Sequence, residues 1–165
     1  MGRRREGRET AVQFLFAHDV HESAGNPSAE EQAGFWDLHS ASKGVRDFAE
    51  VLIKGVLQDL PQVDAYIIKS SQNFSLDRIG GVERNVLRLG IYELLHTKNL
   101  PSAIIINEAI EITKKFCAND SSRFVNGMLD KISREIRPDE PRQRRGKKVE
   151  EDIDPADEPT NEVKV

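Results

Sequence analysis

Four arginines, Arg3, Arg4, Arg5 and Arg8, lie just ahead of an apolar helical pattern that begins at Ala11. Cations at the N-terminus of a helix oppose the helix macrodipole, and each costs up to about 0.3–1 kcal/mol. This placement favours an external anion as the partner of the cluster, and the arginine fork suits bidentate contact with a phosphate. Four such contacts to a single-stranded nucleic acid would give a slope of log affinity against log salt of about −3. The alternative is a solvated, frayed helix end, and the cluster alone does not decide between the two.

A second candidate surface begins at Asp120, where polar and small residues alternate with apolar ones as far as Lys131. Phe124 lies near the predicted start of the last helix, and an exposed aromatic ring there could stack on a nucleic-acid base. Helical periodicity alone favours a core position for Phe124. Gly127 inside a helix costs about 1 kcal/mol relative to alanine, and close packing of two helices would explain its presence.

The side chains that could support catalysis or metal binding are poorly arranged for either. His18 and His21 have the spacing of metal ligands, but their acidic neighbours favour a solvated surface. Glu108 and Glu111 resemble half of a di-iron carboxylate site, yet the histidine of that pattern is missing, which favours a solvated helix edge. Cys117 has no evident histidine partner, and the sequence contains no phosphate-binding glycine loop. We therefore expect no enzymatic activity, no metal and no cofactor.

Helices must position these candidates, because apolar residues recur with helical spacing through most of the first 137 residues. The clearest pattern is a single apolar stripe over residues 43–60. The only credible strand candidate, residues 103–106, is short and lies close to a helical pattern. The sequence therefore predicts an all-α fold, a single compact bundle of about six helices.

Prolines, glycines and capping residues predict where these helices begin. Residues 21–42 are predicted as a polar loop, with Phe35 and Trp36 turned back onto the core. After the 43–60 helix, the next helix is expected to have Asp59 as its N-cap and Pro61 in its first turn. A further helix over 82–96 should follow Gly80 and Gly81. The two remaining helices should begin at Pro101 and Ser102 and, with Asp120 or Ser121 as the N-cap, near residue 121.

Residues 138–165 differ from the rest in composition, with four prolines, a basic group of residues and then an acidic run. Such a segment cannot bury enough apolar surface to offset an ordering entropy of roughly 1–2 kcal/mol per residue. We therefore divide the chain into a helical domain, residues 1–137, and a disordered charged tail, residues 138–165. Most of the formal net charge of −4 belongs to this tail, so net charge does not identify the partners of the helical part.

The composition also excludes several classes of protein. One cysteine among 165 residues rules out a disulfide framework. The longest aliphatic run, residues 103–106, is far shorter than the roughly 20 residues that span a bilayer. The basic start is not followed by the apolar stretch of a secretory signal. We expect a soluble cytoplasmic protein that does not associate with a membrane.

Four motifs follow one another along the chain: R-R-R at 3–5 with R-E-T-A-V-Q at 8–13, V-E-R-N-V-L-R-L-G-I-Y-E-L at 82–94, I-N-E-A-I-E at 106–111, and R-F-V-N-G-M-L-D-K at 123–131. In order and spacing they resemble the transcription antitermination factor NusB family over about residues 3–137. The last two motifs together are quite specific. Only the 138–165 tail lies outside the family pattern.

The resemblance implies an all-helical protein without enzymatic activity that binds boxA-type single-stranded RNA. It would do so together with a NusE-like small-subunit ribosomal protein, within a transcription elongation complex that supports ribosomal RNA transcription. Some members of the family self-associate across overlapping surfaces, so a homodimer is a further implied partner that the sequence does not decide. The main alternative is a helical protein-interaction adaptor without specific RNA binding, whose arginines only solubilise one end.

The resemblance also assigns roles to individual residues of this sequence. Glu83 would face the NusE-like partner. The arginines would meet phosphates, two residues further along the first helix would lie near the RNA, and the start of the last helix would supply a second contact. The implied RNA-binding residues are Arg3, Arg4, Arg5, Arg8, Gln13, Phe16, Asp120, Arg123 and Phe124.

Overall fold

The computed structural model describes residues 2–21, 25–72 and 74–142. Within them the secondary structure is entirely helical, and a 3₁₀ turn at Leu76–Arg78 precedes the fifth α-helix. The all-α prediction is confirmed, with one helix more than the expected six in the described ranges. The α-helices are α1 (Arg3–Val20), α2 (Ala29–Leu38), α3 (Lys43–Gln58), α4 (Leu60–Ser70), α5 (Gly81–His96), α6 (Ser102–Phe116) and α7 (Asn119–Ile136).

Helix α5 lies at the centre of the bundle and packs against α1, α3, α4, α6 and α7. The apolar residues of α5 are distributed widely around the helix axis, so the helix buries side chains on several sides. Full burial of one such aliphatic side chain stabilises the fold by about 1.5–3 kcal/mol. The fully buried members on α5 and its neighbours include Val12, Leu87, Ile91, Leu94, Ile112, Leu129 and Ile132.

The helix starts predicted from prolines are close to those observed, whereas one predicted cap is wrong. Pro61 lies in the first turn of α4, where its missing N–H leaves no hydrogen bond unmade. The last helix begins at Asn119 with Ala118 as its N-cap, two residues before the predicted start. Asp120 is therefore inside the first turn, where a carboxylate interacts favourably with the helix dipole.

Helix α2 occupies a region that the sequence predicts as loop. Ser28 is its N-cap, and the hydroxyl accepts a hydrogen bond of 3.0 Å from the backbone N–H of Glu31. The Ser-x-x-Glu signal is visible in the sequence, but few apolar residues follow it, so no helical period reveals the helix. Phe35 is buried edge-on against Phe14 at 5.0 Å between ring centroids, and Trp36 packs partly buried beside it, as predicted.

The chain remains tied to the bundle beyond the domain boundary predicted at residue 137. Arg137 donates hydrogen bonds to four carbonyl oxygens at the end of α5 and in the turn that follows. Glu140 then accepts a hydrogen bond of 2.8 Å from the backbone N–H of Ser102 and another from its hydroxyl, so it caps the N-terminus of α6. Residues 143–165, the rest of the predicted disordered tail, lie outside the described residues.

Among the described residues, no helix combines the length and the apolar character that crossing a membrane requires.

Candidate nucleic-acid interface

Arg5, in the first turns of α1, binds the carboxylate of Glu108 on α6. The Nε–Oε2 distance is 2.9 Å and the Nη2–Oε1 distance is 3.0 Å, a bidentate pair. The hydrogen bonds to Glu108 raise the pKa of the Arg5 guanidinium, although partial burial opposes this. Glu108 is therefore a partner for a cation, and its predicted place on a solvated helix edge is wrong.

Arg8 is buried one turn further along α1 and binds Glu93 on α5. Its Nε lies 2.7 Å from Oε1 and its Nη2 lies 3.1 Å from Oε2. The side chains of the pair are only 11% and 3% exposed. Because the charges are paired and hydrogen-bonded, this burial is tolerated, whereas removing one partner would leave an uncompensated charge inside the protein. Arg8 thus fastens α1 to the central helix.

Arg3 and Arg4 differ from the other two arginines because both are exposed. Within the described residues, neither forms an ion pair with a carboxylate. The Cζ atom of Arg4 lies 4.3 Å from the ring centroid of Phe48, a cation–π contact with α3. The cluster that opposes the dipole of α1 is therefore divided in two: internal glutamates neutralise Arg5 and Arg8, and two cations remain at the surface.

Phe16 lies further along α1, about 20 Å from Arg3 at 1.5 Å per residue. Its ring is 37% exposed and packs against the start of α5. A Cβ atom at Gly81 would lie 2.8 Å from the ring, so glycine is required for this approach. Gln13 is half-buried and precedes Phe16 by three residues, which places the two side chains on neighbouring positions of one helix surface.

The start of α7 lies beside the start of α5. The hydroxyl of Ser121 donates a hydrogen bond of 2.7 Å to Oε1 of Glu83, the residue expected to face a protein partner. Asp120 and Arg123 are exposed, and Phe124 is partly buried and packs against the core. The structure therefore brings the predicted second RNA contact next to Glu83, and Phe16 reaches the same helix end through its contact at residue 81.

Cys117 follows the last residue of α6 and lies beside the Glu83 carboxylate. Burial raises the pKa of its thiol to about 11, and the charge of Glu83 adds to the rise. A thiol with so high a pKa is protonated near neutral pH and is a poor nucleophile. Cys117 is therefore a half-buried residue at a helix end, and no histidine partner for it is evident in the sequence.

A second group of charges fastens the other end of α1. Asp19 accepts hydrogen bonds of 2.8 Å from Arg84 and 3.0 Å from Asn85. Arg88 binds Asp64 on α4 through two bonds of 2.8 and 3.0 Å, and its Nη1 lies 3.2 Å from Asp19. Burial opposes ionisation of Asp19, but the bond from Arg84 and the charge of Arg88 lower its pKa overall.

Two further expectations from the sequence are wrong. His18 is buried rather than solvated, with Nδ1 2.6 Å from Glu31 and Nε2 2.9 Å from the carbonyl oxygen of Gly25. Gly127 is exposed, and a Cβ atom there would meet nothing within 4 Å, so close packing does not explain this glycine. In the part of the chain that the structure describes, no three His, Cys, Asp or Glu side chains form a group that could hold a metal.

The long-range partners Glu93, Glu108 and Phe48 could not be found from the sequence. Each lies at least 40 residues from the arginine that it contacts, and helical periodicity relates only residues three or four apart. The only signal available is that Glu93 and Glu108 lie inside two of the four sequence motifs.

The fold and the side chains along α1 define a small all-α protein with exposed arginine and aromatic groups on its first helix. The family model of the NusB family matches residues 5–134. A transcription antitermination protein NusB of Sorangium cellulosum (strain So ce56) is 41% identical over 136 residues, which cover 82% of this chain and 95% of that protein. The NusB of Geobacter sulfurreducens (strain ATCC 51573 / DSM 12127 / PCA) is 38% identical over 133 residues, covering 81% and 95%. The chain belongs to the NusB family, and the resemblance seen in its motifs is confirmed.

Solved structures agree with this family and with the fold. The T. maritima NusB structure gives a TM-score of 0.69 at 35% identity and covers 82% of this chain and 92% of that one. A crystal structure of the antitermination factors NusB and NusE in complex with dsRNA gives a TM-score of 0.69 at 28% identity, covering 82% and 98%.

Proposed function

We propose that this protein is a transcription antitermination factor that binds boxA-type single-stranded RNA together with a NusE-like ribosomal protein. In a transcription elongation complex, this pair would support the synthesis of ribosomal RNA. Membership of the NusB family supports the proposal, and a structural relative is a complex of NusB, NusE and double-stranded RNA. The observation that carries the RNA part is the exposure of Arg3 and Arg4 at the start of α1.

The exposed arginines contact phosphates, and their N–H groups act on any sequence because every nucleotide carries a phosphate. Arg5 is half-exposed beside them, but Glu108 offsets its charge, and Arg8 holds α1 against α5 and acts indirectly. Selectivity comes from the bases of the single strand, through ring stacking on Phe16 and polar contacts from Gln13.

A second RNA contact is made at the start of α7. The guanidinium of Arg123 binds the backbone, the carboxylate of Asp120 accepts hydrogen bonds from base amino groups, and the half-buried ring of Phe124 offers its edge to a base. Glu83 meets the NusE-like protein, with one carboxylate oxygen already held by Ser121. The partner thereby enlarges the RNA-binding surface, so the pair binds more tightly than either protein alone.

In this proposal the protein acts by binding RNA and the NusE-like protein, and it catalyses no reaction. It acts in the cytoplasm, where the transcription complex is located. A homodimer that used the same surfaces would compete with the NusE-like partner.

A salt titration of binding to a short boxA-type RNA tests this function. We expect log affinity to fall linearly against log salt, and we expect Arg3→Ala with Arg4→Ala to make that slope shallower by about 1.4, roughly 0.7 for each lost phosphate contact. Arg134→Ala is the matched control, because Arg134 is an exposed arginine near the end of α7 with only an i,i+4 partner. A flat salt response of the unaltered protein would reject the RNA proposal in favour of a protein-interaction adaptor.

A further inference from the structure

The ring of Phe48 on α3 lies against the first turns of α1, between two of its arginines. The ring centroid is 4.3 Å from Cζ of Arg4 and 5.5 Å from Cζ of Arg8. These arginines are four residues apart and share one surface of the helix, so a single ring contacts both. Phe48 is partly buried and packs against the hydrophobic core, which restricts the movement of its ring.

Gly7 allows the ring to come this close to the helix. A Cβ atom at residue 7 would lie 2.5 Å from Cδ1 of Phe48, well inside van der Waals contact. Any side chain at this position would displace the ring from α1. The missing side chain of Gly7 and the ring of Phe48 therefore form one packing unit between Arg4 and Arg8.

An arginine that pairs with a carboxylate and an arginine that contacts an aromatic ring leave different atoms available to a ligand. Arg5 and Arg8 use their edge N–H groups to bind carboxylates. The Cζ atom of Arg4 lies over the ring of Phe48 at 4.3 Å from its centroid, and within the described residues the Arg4 guanidinium pairs with no carboxylate. The N–H groups of Arg4 therefore remain available as hydrogen-bond donors to a phosphate, whereas those of Arg5 and Arg8 are used by carboxylates.

We propose that Phe48 is a positioning residue that orders Arg4 for phosphate contact before RNA binds. A free arginine side chain loses rotamer entropy when a ligand fixes it, and a contact already made in the unbound protein reduces that loss. Phe48 itself touches no RNA and acts only through Arg4. This inference rests on the proposed RNA-binding function.

Equilibrium binding of a short boxA-type RNA to four variants tests this role. Phe48→Leu keeps apolar bulk but removes the ring, and we expect affinity to fall about 2- to 5-fold, the range of an exposed cation–π contact. Phe48→Tyr keeps the ring and should bind like the unaltered protein. Since Phe48 acts through Arg4, Phe48→Leu should have no further effect in an Arg4→Ala background. The salt slope should be unchanged in Phe48→Leu, because no charge is lost.

A second measurement examines the contact without RNA. NMR of the free protein should show the side-chain protons of Arg4 shifted by the ring current of residue 48 in the unaltered protein and in Phe48→Tyr, but not in Phe48→Leu. A thermal melt of each variant accounts for any loss of folded protein.

The two hypotheses fail in different ways. Loss of affinity in Arg4→Ala with none in Phe48→Leu overturns the positioning role and leaves RNA binding intact, as does an equal loss from Phe48→Leu with and without Arg4. Absence of a ring-current shift also overturns it. No salt-dependent binding by the unaltered protein overturns the proposed function and, with it, this inference.

Discussion

The two ends of α1 are both fastened by arginine and carboxylate groups, but they differ in what remains at the surface. At the C-terminal end, Arg84 and Arg88 turn inward to Asp19 and Asp64. At the N-terminal end, two arginines turn inward in the same way and two further arginines stay exposed. Arginine–carboxylate pairs are thus common to both ends, although at the C-terminal end the arginines come from α5, and only the exposed, unpaired arginines distinguish a candidate binding surface from internal ion pairs.

The largest effect is expected when the C-terminal fastening is broken by Arg88→Ala. This change leaves the partly buried carboxylates of Asp64 and Asp19 without the Arg88 guanidinium, and we expect it to reduce the free energy of unfolding by about 4–5 kcal/mol. Urea denaturation measures the loss. RNA affinity of the fraction that folds should be unchanged, because Arg88 lies inside the bundle. A loss below about 1 kcal/mol would contradict the structural role.

Breaking the N-terminal fastening by Arg8→Ala should cost about 3 kcal/mol of unfolding free energy, for the same physical reason. The double change Arg8→Met with Glu93→Leu removes both charges and restores apolar packing, so most of that stability should return. Urea denaturation and RNA binding of the double variant then separate two roles for Arg8. Retained affinity indicates a purely internal fastening, and a shallower salt slope indicates direct phosphate contact.

Local patterns account for the parts of the fold that the sequence predicts. The apolar stripe of α3 and the proline of α4 depend on residues that are neighbours in the chain, and both helices begin where expected or one residue away. Helix α2 is missed because Phe35 is its only buried residue, and a single buried residue produces no helical periodicity in the sequence.

The candidate site is predicted less completely, because charge neutralisation depends on distant residues. The helix dipole identifies the arginine cluster as unfavourably placed positive charge. It cannot show that Glu93 and Glu108, which are distant in the sequence, neutralise two of the four arginines. For Phe124, helical periodicity predicts a core position, and the ring is indeed partly buried against the core; its contact with RNA stays a prediction.

Acid should weaken the C-terminal fastening through Asp19. Bonds and charges from Arg84 and Arg88 lower the pKa of Asp19 in the folded protein despite its burial, so the folded state binds fewer protons than the unfolded state. The stabilisation from this group is present above the ordinary carboxylate pKa and is lost as the pH falls through the lowered value. Asp19→Asn should be less stable at neutral pH but should show a shallower loss below about pH 4. Unfolding free energies at a series of pH values measure this, and equal slopes would contradict the pKa shift.

The smallest effect on stability, and the sharpest test of the difference between the two ends, is expected from Arg3→Ala. Arg3 is exposed and pairs with no carboxylate among the described residues, so the unfolding free energy should change by less than about 0.5 kcal/mol. Its loss should nevertheless make the salt slope of RNA binding shallower by about 0.7. Arg134→Ala, which removes one exposed charge near the end of α7, should leave both quantities unchanged. If Arg3→Ala and Arg134→Ala reduce the slope equally, the RNA responds to the net charge of the protein, and the exposed arginines of α1 are not a distinct site.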